Sequence, residues 1–300
     1  MIVVVASIKG APGVTTTATA LANTWPPGRR VLLVEADPFG GDLAAWFGVA
    51  PSTGLWSLLA AGRRGLEPHA VWEHATNLPG GLAVLYGLAS ADQAVANEAA
   101  WPAVAEALAA LDADVVIDAG RLLPHFAGGI GPLLSVAQVL LVLCPPTLAG
   151  IVHLKTALPS LIATSSSRQL LVLPTASKGF SSEEIASTLK INVAPTIPHD
   201  PKGAAALSAN ASGSERSKTT LAKWARSTAA ELVASSPTHA PLSLLEITNH
   251  QLRSPSDDTQ QLNDTVQLND TVQPNNAEQS QDIEPLCDTV PLVAPAWVAR

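Results

Sequence analysis

An apolar run, Ile2-Val3-Val4-Val5-Ala6, leads into Ser7-Ile8-Lys9-Gly10-Ala11-Pro12-Gly13-Val14-Thr15-Thr16-Thr17, and an Ala/Leu-rich stretch from Ala18 to Asn23 leads out of it. Strand, glycine-bearing loop and Thr-rich helix start make a phosphate cradle in that order. The loop turns backbone N–H groups inward, and the positive end of the helix dipole adds to them. A Thr hydroxyl at the helix start can then ligate Mg²⁺. The lysine that ordinarily precedes this Thr is missing. Val14 stands in its place, and Lys9 lies just ahead of the first glycine.

Short apolar runs recur downstream at Val31–Val34, Leu82–Leu85, Val115–Ile117, Val139–Leu143 and Leu170–Leu173. Nearly uninterrupted apolar runs of this length read as strands covered on both faces, hence parallel. Helical patterns separate them. Trp101 to Leu111 carries Pro102 in its first turn, and Leu148–Leu158 and Ser181–Leu189 follow. Alternating strand and helix predict an α/β fold: a doubly wound, mostly parallel sheet flanked by helices, with right-handed crossovers. Ligands of such sheets sit at the carboxyl ends of the strands, where the glycine loop already lies.

Two more strand ends carry carboxylates. Val31-Leu32-Leu33-Val34-Glu35-Ala36-Asp37-Pro38-Phe39-Gly40-Gly41 ends one strand, and Asp114-Val115-Val116-Ile117-Asp118-Ala119-Gly120 another. Alone, the first also reads as a turn, since Asp-Pro and Gly-Gly are turn formers, and the second as a helix cap. Behind a phosphate loop their order favours a nucleotide site.

These segments carry a family resemblance. KGAPGVTT resembles the deviant Walker A loop, KGGxGKTT, of the ParA/MinD class of P-loop ATPases, with Lys9 at the position of the family's signature lysine. VLLVEADPFGG is similar to the family's second loop, in which Asp37 would match the residue that orients water and Glu35 replaces an aspartate. DVVIDAG resembles Walker B, with Asp118 reaching Mg²⁺ through water. Val139–Thr147 looks like the strand and turn before a later helix, and Ile197-Pro198-His199-Asp200 like the loop beside the base. Where many relatives carry an adenine-reading Asn, this chain has Pro174-Thr175, which leaves base specificity open.

The resemblance implies ATP and Mg²⁺ as cofactors. It places Lys9, Gly10, Ala11, Gly13, Val14, Thr15, Thr16 and Pro198 around the nucleotide, Thr15 and Asp118 at the metal, and Lys9 and Asp37 in catalysis. It further implies a nucleotide-dependent homodimer in which Lys9 reaches the partner's phosphates, and a role in positioning or partitioning a cargo. Val14 departs from the pattern. A lost charged hydrogen bond of roughly 1.5–3 kcal/mol costs about tenfold or more in affinity, and at least as much in turnover. The chain is therefore at best a slow ATP hydrolase. The other reading left open is a pseudo-ATPase scaffold.

Charge and composition set limits. Of the net charge of −8, residues 236–300 carry −7, and the rest is nearly neutral, which argues against strong nucleic-acid binding by bulk charge. Arg216, Lys218, Lys223 and Arg226 form a small basic face on an amphipathic helix expected over Ser217–Val233. ParA-like relatives can touch DNA near this end, and a solvated face is the plainer reading here. Cys144 and Cys287 form no metal or disulfide pattern, His69 and His74 have no third ligand, and the apolar N-terminus is only a strand long. A cytoplasmic protein without membrane insertion is expected.

Trp46, Trp56 and Trp72 are expected to pack helices onto the sheet. The domain boundary is placed between residues 1–235, the nucleotide-binding domain, and 236–300. This second stretch reads as a disordered acidic tail in which Gln-Leu-Asn-Asp-Thr-Val occurs twice in tandem, at Gln261–Val266 and Gln267–Val272.

Overall fold

The computed structural model describes residues 1–10, 12–122, 129–165, 167, 169–176, 178–207 and 217–235. The expected tail with its repeat lies outside the described residues, as do Ala11, Arg216 and Cys287.

Eight strands form one sheet: β1 (Ile2–Ser7), β2 (Val31–Glu35), β3 (Thr76–Asn77), β4 (Ala83–Leu85), β5 (Asp114–Arg121), β6 (Val139–Cys144), β7 (Gln169–Pro174) and β8 (Asn192–Val193). Their order is β3-β4-β2-β5-β1-β6-β7-β8. All neighbours are parallel except β3 with β4, an antiparallel edge pair. Each apolar run anticipated from sequence is a strand. The two-residue edge strands β3 and β8 are too short and too polar to leave a periodic signal.

The strands are apolar throughout because both faces are covered. Along β1, Ile2, Val4 and Ala6 join one buried cluster, with Leu58, Trp101, Leu134 and Leu154 from the helices on that side. Val3 and Val5 join the other, with Leu21 from α1 (Val14–Asn23) and Leu221, Ala225 and Leu232 from the helix Thr220–Ser235. This two-residue alternation of a pleated strand makes a three-layer stack from one sheet.

Helix boundaries follow local chemistry. The Thr147 hydroxyl accepts from Gly150 N–H at 3.1 Å to start Leu148–Thr164. Ser181 and Glu184 form a capping box at Ser182–Leu189. The first of these helices runs past its expected end at Leu158, through Pro159. That proline is exposed, while Leu158 and Leu161 on either side are buried and hold the helix to the sheet. A short helix spans Pro201–Ala205, because Asp200 caps it and Pro201 opens its first turn. Residues 208–216 lie outside the described set.

Trp46 and Trp72 pack partly buried against the clusters as expected. Trp56 does not: it is half exposed, since its neighbours Leu55, Leu58 and Leu59 take the buried face of their helix.

Candidate functional site

Adjacency of β2, β5 and β1 brings the motif residues together. Register places Asp118 beside Val5 of β1 on one side and Glu35 of β2 on the other. Ala36 N–H donates to the Asp118 carbonyl at 2.7 Å, so the chain leaving β2 toward Asp37 is tied to β5. The loop after β1 and the start of α1 lie at the same strand ends.

The start of α1 differs from the other helix starts described above. Its N-cap, Gly13, sits at φ 96°, a left-handed conformation that glycine tolerates, and no side chain caps the first turn. The leading N–H groups of the helix are thus left to whatever binds there. Val14 is 5 % exposed and its side chain joins Val3, Val5 and Leu21 in the apolar cluster. Only its backbone can face a ligand. Lys9 is exposed, and its Nζ lies 2.8 Å from Nε2 of His153 on the helix Leu148–Thr164, on the β6 side of β1.

The carboxylates divide by their partners. Glu35 is buried; Oε1 accepts from the N–H groups of Asp42 at 2.6 Å and Leu43 at 2.7 Å, and Oε2 from Gly87 at 2.9 Å. Burial raises its pKa, and these three donors oppose the rise. It acts as a brace for the surrounding loops, a role the sequence reading missed. Asp37 is half-buried. It accepts from Phe39 N–H at 2.8 Å and presses against the backbone of Gly120, where a Cβ would collide with it. Gly120 sits at φ 54°, so the glycine is required twice over. Burial raises the Asp37 pKa, with Phe39 N–H and Arg121 pulling it down and Asp42 pushing it up.

Asp118 is 1 % exposed. Its Oδ1 accepts from Gly120 N–H at 3.0 Å, but its buried Oδ2 has no hydrogen-bond partner. Burial first, then the charges of Glu35 and Asp37, push it up to about 7, against the pull of the Thr15 hydroxyl and Gly120 N–H. An orphaned carboxylate oxygen is costly and calls for a counter-charge. The hydroxyl of Thr15 and the carboxylate of Asp118 are hard oxygen donors of the kind that suit Mg²⁺, so these residues fit the ion. Among the described residues no group of three or more His, Cys, Asp or Glu could hold a metal. A cation here would complete its shell from phosphate and water.

A cleft of about 310 Å³ continues from the loop, between Gly13, Thr16 and Thr17 on one side and Thr175, Pro198 and His199 on the other. Pro198 thus lines this cleft. Asp200, beside it, is engaged in structure: its carboxylate accepts from Gly203 N–H at 2.8 Å and Leu221 N–H at 3.0 Å. Lys223 and Arg226 lie exposed on the helix Thr220–Ser235, and Lys218 lies exposed just ahead of it.

No protein-family model and no curated protein matches the chain. Solved structures do. A ParA family ATPase from Chlorobium tepidum superposes with a TM-score of 0.64 at 19 % identity, covering 77 % of this chain and 98 % of that one. The fold is that of the ParA/MinD P-loop ATPases. The septum site-determining protein MinD of Pyrococcus horikoshii, complexed with Mg-ADP, gives 0.61 at 18 % identity, over 78 % of this chain and 98 % of that one. The ATP complex of a Cyanothece McdA point variant gives 0.59 at 18 %, over 80 % and 98 %.

Two site residues escaped sequence reasoning. His153 had no motif around it. Arg121 ends the strand that carries Asp118, and a positive charge directly after the Asp118 motif was the available signal. No helix of the described residues is long and apolar enough to cross a membrane. Cys144 is buried at the end of β6, and burial pushes its thiol up to about 11, which suits an unreactive core residue.

Proposed function

We propose that the chain is an ATP-binding switch of the ParA/MinD kind. It pairs two copies on nucleotide, positions or partitions a cellular cargo, and hydrolyses ATP slowly. One observation carries this reading: the buried, unpartnered Oδ2 of Asp118 beside Thr15, at the foot of an uncapped helix start. An inert scaffold gains nothing from keeping such a costly group.

The residues take the following parts. Backbone N–H groups from Gly10, Gly13, Val14, Thr15 and Thr16 hold the phosphates, with Ala11 in the same loop. The base lies in the cleft lined by Pro198. Thr15 and Asp118 would hold Mg²⁺, which supplies charge neutralisation between phosphate oxygens when bound. Asp37 orients the attacking water, and Lys9 reaches phosphate across the pair. Leu148 and Val152, large apolar residues left 68 % and 50 % exposed on the same helix as His153, supply a contact surface for the second copy. Residues 236–300 are appended to this switch as an acidic tail.

Val14 weakens turnover more than binding. Its side chain is sealed in the core, so no cation from this position follows the charge that grows on the transferred phosphoryl group. This same burial favours the second reading, a pseudo-ATPase scaffold or interaction module that has lost nucleotide hydrolysis.

Titration with a fluorescent ATP analogue and Mg²⁺, read together with sedimentation, tests the switch. Saturable binding with a shift to dimer is expected, the shift being lost in Lys9→Ala. No saturable binding leaves only a scaffold. Val14→Lys is expected to raise turnover.

A further inference from the structure

With Val14 turned into the core, a bound triphosphate lacks its usual cation from the loop. The strand ends instead gather the carboxylates of Glu35, Asp37 and Asp118, each adding negative charge near the phosphates. Mg²⁺ at Thr15 and Asp118 would offset part of that charge, and Lys9 is placed poorly to offset the rest within its own subunit. It contacts His153 on the β6 side of β1, whereas Asp37 and Asp118 lie on the β5 side.

Arg121 is placed well. It is the last residue of β5, three positions after Asp118, and pairs in register with Ser7 of β1, directly ahead of the loop. Leu122 N–H donates to the Ser7 carbonyl at 2.9 Å and fixes this end of β5 against the loop. The side chain is exposed and forms no salt bridge within 4.0 Å among the described residues. Its guanidinium lies 4.7 Å from the ring centroid of Phe39, which is itself 47 % exposed in the loop that carries Asp37. A stacked guanidinium keeps its donors free at the ring's edge and loses little further freedom on binding an anion. Its charge also reaches Asp37, whose pKa it lowers.

We propose that Arg121, poised on Phe39, supplies from the β5 side the phosphate-binding charge that Val14 withholds. The ligand class is a nucleoside triphosphate, through its terminal phosphates, which a guanidinium can grip in bidentate fashion. This rests on the reading of the site as a nucleotide site.

The test is titration of the full chain with a fluorescent ATP analogue and Mg²⁺, for wild type, Arg121→Gln and Arg121→Lys, with thermal melting of each. Arg121→Gln is expected to bind at least tenfold more weakly at an unchanged melting temperature, and Arg121→Lys to stay within about threefold of wild type. Adding Val14→Lys to Arg121→Gln should recover part of the loss. A wild type that binds while Arg121→Gln binds within twofold of it overturns the proposal and leaves the switch standing. So does Arg121→Lys binding as weakly as the Gln variant, since charge would then not be what Arg121 provides. A wild type without saturable binding overturns the switch, and this proposal with it.

Discussion

Asp114 and Asp118 stand on one strand, four residues apart, at opposite ends of the sheet, and both are almost wholly buried. Asp114 has every partner it needs. It accepts from the Met1 ammonium at 3.0 Å, from Trp25 Nε1 at 2.7 Å and from Arg29 Nη2 at 2.7 Å. Burial pushes its pKa up, but these donors, Arg29 foremost, outweigh that push and hold it down to about 2. Asp118 has a backbone donor and the pull of the Thr15 hydroxyl, but its Oδ2 is orphaned, and burial lifts it to about 7. Burial is common to both; what differs is whether the protein or a ligand is to supply the positive charge. The strands' amino ends hold the fold together, and their carboxyl ends leave a carboxylate wanting.

Removing a partner from the satisfied end should have the largest effect. Asp114→Ala strips the buried Trp25 indole N–H and the half-exposed Arg29 guanidinium of their shared acceptor and should cost about 2–3 kcal/mol in urea unfolding, while nucleotide affinity of the folded protein stays unchanged. At the other end the sign reverses. Asp118→Asn removes a charge that the fold holds at a loss and should gain about 2 kcal/mol at pH 8, seen as a melting temperature higher by roughly 4–8 °C.

The two carboxyls also predict opposite pH responses. Asp118 titrates higher in the folded chain than its ordinary 3.8, so its protonated form favours folding. Stability is lost as pH rises from about 4 through 7, and the gain of Asp118→Asn should vanish near pH 4. Asp114 titrates lower than 3.8, so its stabilisation is present above that value and is lost as pH falls toward about 2. Calorimetry across pH on wild type and the Asn variant resolves both.

The smallest effect concerns helix starts. Thr147→Ala removes a cap that its helix supplies for itself and should cost about 1 kcal/mol without touching nucleotide affinity, because it is the uncapped start of α1 that is left open for an anion.

Much of this was legible in the sequence. Strands covered on both faces leave unbroken apolar runs, and β1, β2 and β4–β7 could be read from them. The order of the loop, Asp37 and Asp118 pointed to one candidate site because parallel strands bring their carboxyl ends to one edge. What escaped reading depends on contacts distant in sequence. Glu35 looks like a failed catalytic residue until its bonds to Asp42, Leu43 and Gly87 are seen. The outward turn of Trp56 depends on which neighbours reach the sheet first. Arg121 gained meaning only once the register set it beside Ser7 and the Phe39 ring came to lie against it.

Thermal unfolding of wild type and Asp118→Asn, each with and without millimolar MgATP at pH 8, tests the contrast most directly. The bare variant should melt above the bare wild type, and MgATP should raise the melting temperature of the wild type alone. Equal responses of the two proteins to MgATP, or a bare variant melting below the wild type, would show that Asp118 is not a carboxylate kept for a metal–nucleotide ligand.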